Sequence, residues 1–285
     1  MALSVAEPFL IKRCIIMVKG KCCICGTVKN CGPYLVKVLQ NIDKIGTLFD
    51  EYVTIFAYDN SSDNSLEILE NYKNTKINTN TNTRVIIDVN KDPVSEFRVY
   101  NIANARNKCL NIIRQNFVSY DYFIMIDCDD VSMNDVNLEP LKYYLEKGID
   151  DWDGLSFNKK IYYDLWALSK FPYSYSCWHF KDWKAWGRYI EKIIWNTPPK
   201  TLIQCFSAFN GFSIYKTNKF INCFYDPTLR LDLLPRHLLE ANERVAGPMK
   251  TDERSMLVDC EHRSFHLMAI TQNGARIRIA PEIIF

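Results

Sequence analysis

The regular alternation of short apolar segments with amphipathic segments constrains this chain most. Between residues 21 and 127 the order is strand, helix, strand, helix, strand, helix, strand. The pattern predicts strands at Lys21–Thr27, Tyr52–Tyr58, Arg84–Val89 and Tyr122–Ile126, and helices at Pro33–Leu48, Ser65–Tyr72 and Ile102–Ile113. Such alternation is typical of a doubly wound α/β sheet, whose ligands bind outside the carboxyl ends of the strands. We therefore expect functional residues at those ends.

The second half of the chain is less regular. Five of the six tryptophans lie within residues 162–195. A strand begins at Phe212, a helix is predicted over Ser264–Gln272 with Gly274 after it as C-cap, and a strand follows at Ala275–Ile279. The polar segment Asn74–Thr83 is predicted to be a loop.

Composition excludes several classes of protein. A net charge of +2 in 285 residues is too balanced for a chain that binds nucleic acid through its phosphates. No apolar run reaches the roughly 18 residues of a membrane span, and no secretory signal is evident, so we expect a cytoplasmic protein without a membrane anchor. The eleven cysteines are scattered, as in a reducing compartment. Four of them cluster at Cys22, Cys23, Cys25 and Cys31, where packing in a strand is a simpler interpretation than zinc or redox chemistry.

The strongest motif is a buried strand that runs directly into acidic residues. Ile124-Met125-Ile126 is followed by Asp127-Cys128-Asp129-Asp130. Two carboxylates one residue apart can face the same crevice, and such oxygen ligands suit Mg²⁺ or Mn²⁺ carrying a diphosphate. Asp127 and Asp129 are therefore candidate metal ligands. The alternative is that they cap the following turn.

Two further motifs lie near strand ends. Asp59 begins the segment Asp59-Asn60-Ser61-Ser62-Asp63 after the second strand, where the alternative is an N-cap and Asx-turn cluster. Arg106 stands near the start of the third helix, where it can reach a diphosphate with two N–H groups. The alternative for Arg106 is an ordinary surface position.

Taken together, these motifs resemble the nucleotide-sugar glycosyltransferases of the GT-A fold, in particular the family 2-like enzymes. The family's Asp-Gly-Ser-x-Asp-like loop stands here as Asp59–Asp63, its Ala-Arg-Asn helix start as Ala105-Arg106-Asn107, and its DxD motif as Asp127-Cys128-Asp129. A weaker, local likeness links residues 162–168 to capsular mannosyltransferase-like enzymes. The resemblance covers nearly the whole chain and is strong only in the first half.

The resemblance implies a single large mixed α/β domain and a hexosyl transfer. It implies an N-terminal extension at residues 1–20, a nucleotide-sugar-binding half at 21–130 and an acceptor-binding half at 131–285. The donor would be a UDP- or GDP-sugar, the acceptor a hydroxyl on a glycan or protein, and the cofactor Mn²⁺ or Mg²⁺. By the same resemblance Thr27 and Asp59 would contact the base and Arg106 the diphosphate. Asp127 and Asp129 would position ribose and metal.

The acceptor side is predicted less sharply. Glu261-His262 resembles the family's Glu-Asp pair, with His262 in place of the second acid. Glu261 is the candidate base, with the start of a helix as its alternative role. His262 is a second candidate base or, with His266, a metal ligand. We expect inversion at the anomeric carbon, and retention stays open because of this change.

Other acceptor-side candidates are a turn and several aromatic residues. Asn210 and Gly211 resemble the family's acceptor-side strand. Trp166, Trp183 and Trp186 can stack on acceptor sugars, although aromatic side chains more often form a core.

The sequence leaves three alternatives to the transferase. The first is a catalytically degraded binding module with the same fold, which would not need the acidic strand end. The second, a sugar nucleotidyltransferase, needs a glycine-rich loop after the first strand, where Gly26-Thr27-Val28-Lys29-Asn30 stands instead. The third is a zinc-dependent redox module. The Asn-, Lys- and Tyr-rich composition fits a viral or microbial source, and the sequence leaves the oligomeric state open.

Overall fold

The computed structural model describes residues 18–79, 83–174, 183–249 and 258–285, without the side chains of residues 18, 19 and 183. Its strands are β1 (Val18–Val28), β2 (Phe49–Tyr58), β3 (Arg84–Val89), β4 (Tyr122–Asp127), β5 (Gly154–Asn158), β6 (Ile203–Cys205), β7 (Phe212–Lys216) and β8 (Ile277–Ile283). They form one sheet in the order β3-β2-β1-β4-β7-β5-β8-β6. The predicted mixed α/β fold in a single large domain is confirmed.

Helices cover both faces of this sheet. They are α1 (Gly32–Gly46), α2 (Ser65–Asn78), α3 (Arg98–Asn116), α4 (Leu138–Glu146), α5 (Trp183–Asn196), α6 (Thr217–Phe220), α7 (Arg236–Ala246) and α8 (Glu261–Asn273). Short 3₁₀ turns lie at Asp130–Ser132, Ile149–Asp151 and Leu231–Leu233. None of the helices in these ranges has the length and hydropathy needed to span a bilayer.

The central strand β1 is buried on both faces, which explains its apolar, cysteine-rich sequence. Cys22 and Ile24 pack into the core that contains α1 and α4, whereas Cys23 and Cys25 pack into the core that contains α3 and α8. Burial raises the pKa of the Cys22 and Cys25 thiols. The cysteines of this strand therefore act as small apolar side chains, as expected.

Most predicted elements are present, with different boundaries. The main error is at Asn74–Thr83, because α2 continues to Asn78 through the first half of the predicted loop. Lys76 stabilises this last turn, since its ammonium lies 2.6 Å from Asp43 Oδ1 of α1. At the other end of the chain Gly274 adopts φ +60° and caps α8, as predicted.

Parallel pairing brings the carboxyl ends of three strands to one edge. β1 pairs in parallel with β2 and β4, and Thr27 lies opposite both Ala57 and Asp127. The amide of Asp59 then donates to the carbonyl of Val28 at 2.9 Å. Residues that are distant in sequence therefore meet where the sheet topology predicts a ligand crevice.

The two halves of the chain share this sheet. β7 runs antiparallel to β4, with Phe212 opposite Ile126, and also pairs with β5. Directly before β7, the carbonyl of Gly211 accepts a hydrogen bond of 2.9 Å from the amide of Asp127. The end of β4 is thus fixed by the second half as well as by β1.

A buried carboxylate holds the start of β8 against its neighbours. Asp153 is 3% exposed and accepts hydrogen bonds of 2.9 Å from both the amide and Nε of Arg276. Lys216 Nζ lies 3.4 Å from the same carboxylate. Although burial acts in the opposite direction, the Arg276 hydrogen bonds hold the pKa of Asp153 below its usual value.

We expect Asp153→Asn to lower the free energy of unfolding by about 2 kcal/mol at neutral pH, because the amide cannot replace the charge-assisted bonds. The folded pKa lies below the unfolded one. The stabilisation is therefore complete above the unfolded pKa of about 4 and is lost as pH falls through the folded value. Urea unfolding at pH 7 and pH 3 should show the difference from wild type shrinking at pH 3. The exposed Asp135→Asn is the control, and equal effects from the two variants would contradict the prediction.

Candidate active site

A cavity of about 490 Å³ opens at the edge where β1, β2 and β4 end. Its walls come from these strand ends, the first turns of α3, the loop after β5 and the start of α8. Eight of the predicted site residues line it: Thr27, Asp59, Arg106, Asp127, Asp129, Trp166, Glu261 and His262. The sheet topology therefore gathers most of the candidate residues around one space.

Arg106 lies at the centre of the polar wall. Its Nη2 donates to Asp127 Oδ1 at 2.9 Å, and its Nη1 donates to Glu261 Oε1. The guanidinium also lies 4.6 Å from the ring centre of Phe209. Although burial opposes its charge, Asp127 contributes most to raising the pKa of Arg106 above its usual value. A permanently charged group thus links β4 to α8.

The helical spacing of α3 explains why this arginine is buried. The buried positions of the helix include Val99, Ala103, Arg106, Leu110 and Ile113, which recur at intervals of three and four residues. Arg106 occupies one position of this apolar stripe and is only 5% exposed. It is therefore not the surface arginine of the alternative interpretation.

Glu261 is both the first residue of α8 and the second carboxylate on Arg106. Its side chain is buried, at 3% exposure for the residue. A carboxylate in the first turn is favoured by the helix dipole. The two interpretations made from the sequence are therefore compatible, because one position serves the helix start and the cavity wall.

The acidic strand end supplies two differently held carboxylates. Asp127 Oδ2 accepts a hydrogen bond of 3.1 Å from the hydroxyl of Tyr163. Asp129 accepts from the amide of Val131 at 3.3 Å and so caps the 3₁₀ turn. Burial, with the nearby charge of Asp127, raises the pKa of Asp129 to about 6. Asp129 therefore caps a turn and also lines the cavity.

The acidic pair offers the oxygen ligands that a divalent cation prefers. Burial disfavours the charge of Asp129 most, and the neighbouring charge of Asp127 adds to that effect. Mg²⁺ often takes one or two carboxylates and completes its coordination with phosphates and water. Within the ranges that the structure describes, no group of three or more His, Cys, Asp or Glu side chains is assembled to hold a metal. Two carboxylates supply part of the coordination shell that such a cation requires.

Asp59 lines the cavity directly after the end of β2. It accepts hydrogen bonds from Lys29 Nζ at 2.6 Å, the amide of Asn60 at 2.9 Å and Asn90 Nδ2 at 3.2 Å. Burial raises the pKa of Asp59, but these bonds outweigh it and hold the pKa below its usual value. The capping role falls to Asp63, which accepts from the amides of Gly32 and Ser65. Asp59 is thus a fixed carboxylate that faces the cavity.

The two histidines have different surroundings. His266 is fully buried, and its Nδ1 and Nε2 lie 2.9 Å from Ser207 Oγ and 3.0 Å from Tyr215 Oη. Both nitrogens are occupied, so the predicted metal role of His266 does not fit this structure. His262 lines the cavity, stacks on Phe209 at 3.8 Å, and has no hydrogen-bond partner among the described residues.

Asn210 and Gly211 form a turn next to the cavity and contact residues that line it. They adopt φ +56° and +86°, and neither lines the cavity. The side-chain oxygen of Asn210 accepts from the amides of Tyr163 and Asp164 at 3.3 and 3.4 Å. The sequence predicted that Asn210 and Gly211 contact an acceptor. In the structure this turn instead positions Tyr163 and Asp164, which face the cavity.

The predicted tryptophans divide in the same way. Trp166 lines the cavity. Trp186 is fully buried, with its ring centre 4.5 Å from that of Tyr173, and therefore belongs to the core rather than to an acceptor surface. The side chain of Trp183 lies outside the described part of the chain, so its predicted acceptor role stays a prediction.

Several residues that line the cavity are not among the predicted site residues. They are Lys29, Arg98, Tyr163 and Asp164 among others. The stretch Tyr162–Leu168 contains two of them, Tyr163 and Asp164, although the sequence pointed only to Trp166 within it. The presence of the polar residue Asp164 within this aromatic segment was the feature of the sequence that could have indicated a functional role.

Fold and cavity together define an α/β protein with an acid-lined ligand site at the carboxyl edge of parallel strands. The profile of glycosyl transferase family 2 matches residues 23–216, which is more than half of the chain. The chain therefore belongs to glycosyl transferase family 2, whose fold is GT-A.

Several solved structures are similar in outline. S. aureus TarS 1–349 in complex with UDP shares 16% identity at a TM-score of 0.46, covering 93% of this chain and 59% of that one. The mannosyltransferase PcManGT from Pyrobaculum calidifontis, in complex with GDP-Man and Mn²⁺, shares 15% sequence identity at a TM-score of 0.41. The match covers 92% of this chain and 57% of that one. M. tuberculosis glucosyl-3-phosphoglycerate synthase shares 14% sequence identity at a TM-score of 0.39, and the match covers 80% of this chain and 67% of that one. The chain thus spans less than two thirds of TarS 1–349 and PcManGT. No curated protein sequence matches the chain.

We expect Arg106→Met to destabilise the fold by about 3–5 kcal/mol. The carboxylate of Glu261 loses its buried partner, and the carboxylate of Asp127 keeps, among the described residues, only the hydrogen bond from Tyr163. Chemical denaturation measures this directly. The control is Arg236→Met, since the Arg236 side chain is 92% exposed and its removal should leave stability nearly unchanged. The double variant Arg106→Met/Glu261→Gln should recover part of the loss, because the stranded buried charge is gone. An Arg106→Met protein as stable as wild type would contradict this account.

Proposed function

We propose that the chain transfers a hexosyl group from a UDP- or GDP-linked donor to a hydroxyl of a glycan or protein acceptor. Membership in the family supports the class of reaction. The observation that carries the proposal is the convergence of Asp59, Arg106, Asp127 and Asp129 on one cavity of about 490 Å³. A cavity of this size can enclose a ligand as large as a nucleotide sugar.

In this proposal the donor spans the edge of the sheet from β2 to β4. Thr27 and Asp59 lie at the ends of adjacent strands and contact the nucleoside. Arg106, with its fixed guanidinium, faces the diphosphate. Because Arg106 also holds Asp127, the residue that receives the phosphates is positioned by the acidic motif itself.

Asp127 and Asp129 are the residues that would hold Mn²⁺ or Mg²⁺. When bound there, the metal ion neutralises negative charge on the departing nucleoside diphosphate. The protein's own contribution is to keep two carboxylates at one edge. It fixes Asp127 through Arg106 and Tyr163, and Asp129 through the amide of Val131.

The acceptor approaches from the second half of the chain. Trp166 and the half-exposed Tyr163 lie on that wall of the cavity and offer ring surface to a sugar. Glu261, predicted as a base, holds Arg106 instead and so acts as a positioning residue in this proposal. Trp166 remains the proposed acceptor-stacking residue.

Thermal unfolding with UDP-, GDP-, dTDP- and CMP-sugars, with and without Mn²⁺, tests the donor. At a hundred times the dissociation constant a bound donor adds about 2.7 kcal/mol, which is a readable shift. We expect one UDP- or GDP-sugar to stabilise wild type only with Mn²⁺, and Asp127→Asn to abolish the effect. Asp135→Asn, outside the cavity, should keep it. If no nucleotide sugar shifts the wild type, the chain is better explained as a degraded binding module of the same fold.

The stereochemistry of transfer is a separate prediction. We expect inversion, because the cavity carries carboxylates that can take a proton from an attacking hydroxyl. Proton NMR of the fresh product, before mutarotation, reports the anomeric configuration. A product with the donor's configuration would show retention and contradict this part of the proposal.

A further inference from the structure

The two residues predicted as the base are poorly placed for that task. Glu261 is buried, and its Oε1 already accepts a hydrogen bond from the guanidinium of Arg106. His262 is 1% exposed, and its burial, with the charge of Arg106, holds its pKa well below the usual range. A histidine in that state stays neutral and takes up protons poorly. An inverting transfer needs another base.

Asp164 is a carboxylate on the acceptor wall of the same cavity. It follows β5 in sequence and lies between Tyr163, which contacts Asp127, and Trp166. Its Oδ1 accepts from the amide of Ala167 at 3.1 Å, and its Oδ2 from the amide of Asn210 at 3.4 Å. These bonds hold the carboxylate in place. Within the described ranges no lysine, arginine or histidine lies within 4 Å to neutralise it.

The surroundings of Asp164 make it a better base than an ordinary aspartate. Burial is the largest influence, and together with the charge of Asp127 from β4 it raises the pKa of Asp164 to about 6. The charge of Arg106 from α3 and the amides of Ala167 and Asn210 act in the opposite direction. The neighbouring phenols Tyr162 and Tyr163 and the thiol of Cys260 also face it. A base is most effective when its pKa is close to the working pH.

We propose that Asp164 is the catalytic base that takes the proton of the acceptor hydroxyl, a proposal that rests on the proposed function. The acceptor oxygen forms a bond to the anomeric carbon of the donor. The bond from that carbon to the diphosphate oxygen breaks, and the nucleoside diphosphate leaves with the electron pair. The hydroxyl proton passes to the Asp164 carboxylate. Trp166, two residues further along, supports the acceptor ring on the same wall.

The first test compares Asp164→Asn, Asp164→Glu and the control Asp135→Asn with wild type. The donor found by thermal unfolding is supplied with Mn²⁺, and nucleoside diphosphate release is followed with a panel of methyl glycosides and with water alone. Asp164→Asn should keep the donor-induced thermal shift but lose about 10²–10⁴-fold in turnover and the acidic limb of the pH profile. Asp164→Glu should regain part of the rate, because it restores a carboxylate.

The second test needs no acceptor. Carboxyl ¹³C NMR of aspartate-labelled wild type, with Asp164→Asn to assign the signal, should show titration with a midpoint near 6. A midpoint below about 4.5 would overturn the proposal, since ordinary aspartate titrates near 3.9.

Other outcomes separate the two proposals. Turnover of Asp164→Asn within threefold of wild type, with an unchanged pH profile, would overturn the base assignment and leave the transferase proposal intact. Loss of the donor-induced shift in Asp164→Asn would likewise overturn it, because the residue would then serve donor binding. A wild type that responds to no donor removes the proposed function, and the base assignment falls with it.

Discussion

The buried guanidinium of Arg106 is the interaction on which the site depends. It takes an apolar position on α3, so its charge must be compensated inside the protein. The two carboxylates that compensate it come from the end of β4 and the start of α8, 21 and 155 residues away. Any arrangement that separated these elements would leave a buried charge unpaired. The same contact that stabilises the fold therefore brings Asp127 to the wall that α8 also lines.

This arrangement leaves the cavity with more carboxylates than cations. Arg106 pairs with Asp127 and Glu261, and Lys29 pairs with Asp59. Asp129 and Asp164 lie in the same cavity without an ion pair among the described residues, and burial raises the pKa of each to about 6. The two acids differ in position. Asp129 adjoins Asp127 at the end of β4, whereas Asp164 lies beside Tyr163 and Trp166 in the loop after β5.

The alternation of apolar segments predicted β1–β4, β7 and β8 but not β5 and β6. The residues proposed for the donor were assigned from the family resemblance, and the structure gathers them because the ends of parallel strands meet at one edge. Thr27 and Asp127 needed only this topology to become neighbours. The acceptor side depends on loop contacts that no local pattern shows. Trp166 and Trp186 lie in the same aromatic-rich stretch of sequence. In the structure, however, Trp166 lines the cavity and Trp186 is buried in the core. The sequence could not exclude His266 as a metal ligand, because the contacts of its two ring nitrogens with Ser207 and Tyr215 are visible only in the structure.

The turn at Asn210 and Gly211 connects the two sides of the cavity. Both residues adopt positive φ, which asparagine and glycine tolerate best. A Cβ at Gly211 would lie 3.0 Å from the hydroxyl of Tyr163, so this position also needs a small residue. Through Gly211 the turn holds the amide of Asp127, and through Asn210 it holds the amide of Asp164. The ends of β4 and of the loop that carries Asp164 are thus fixed to the same two residues, so a shift of this turn would displace both together.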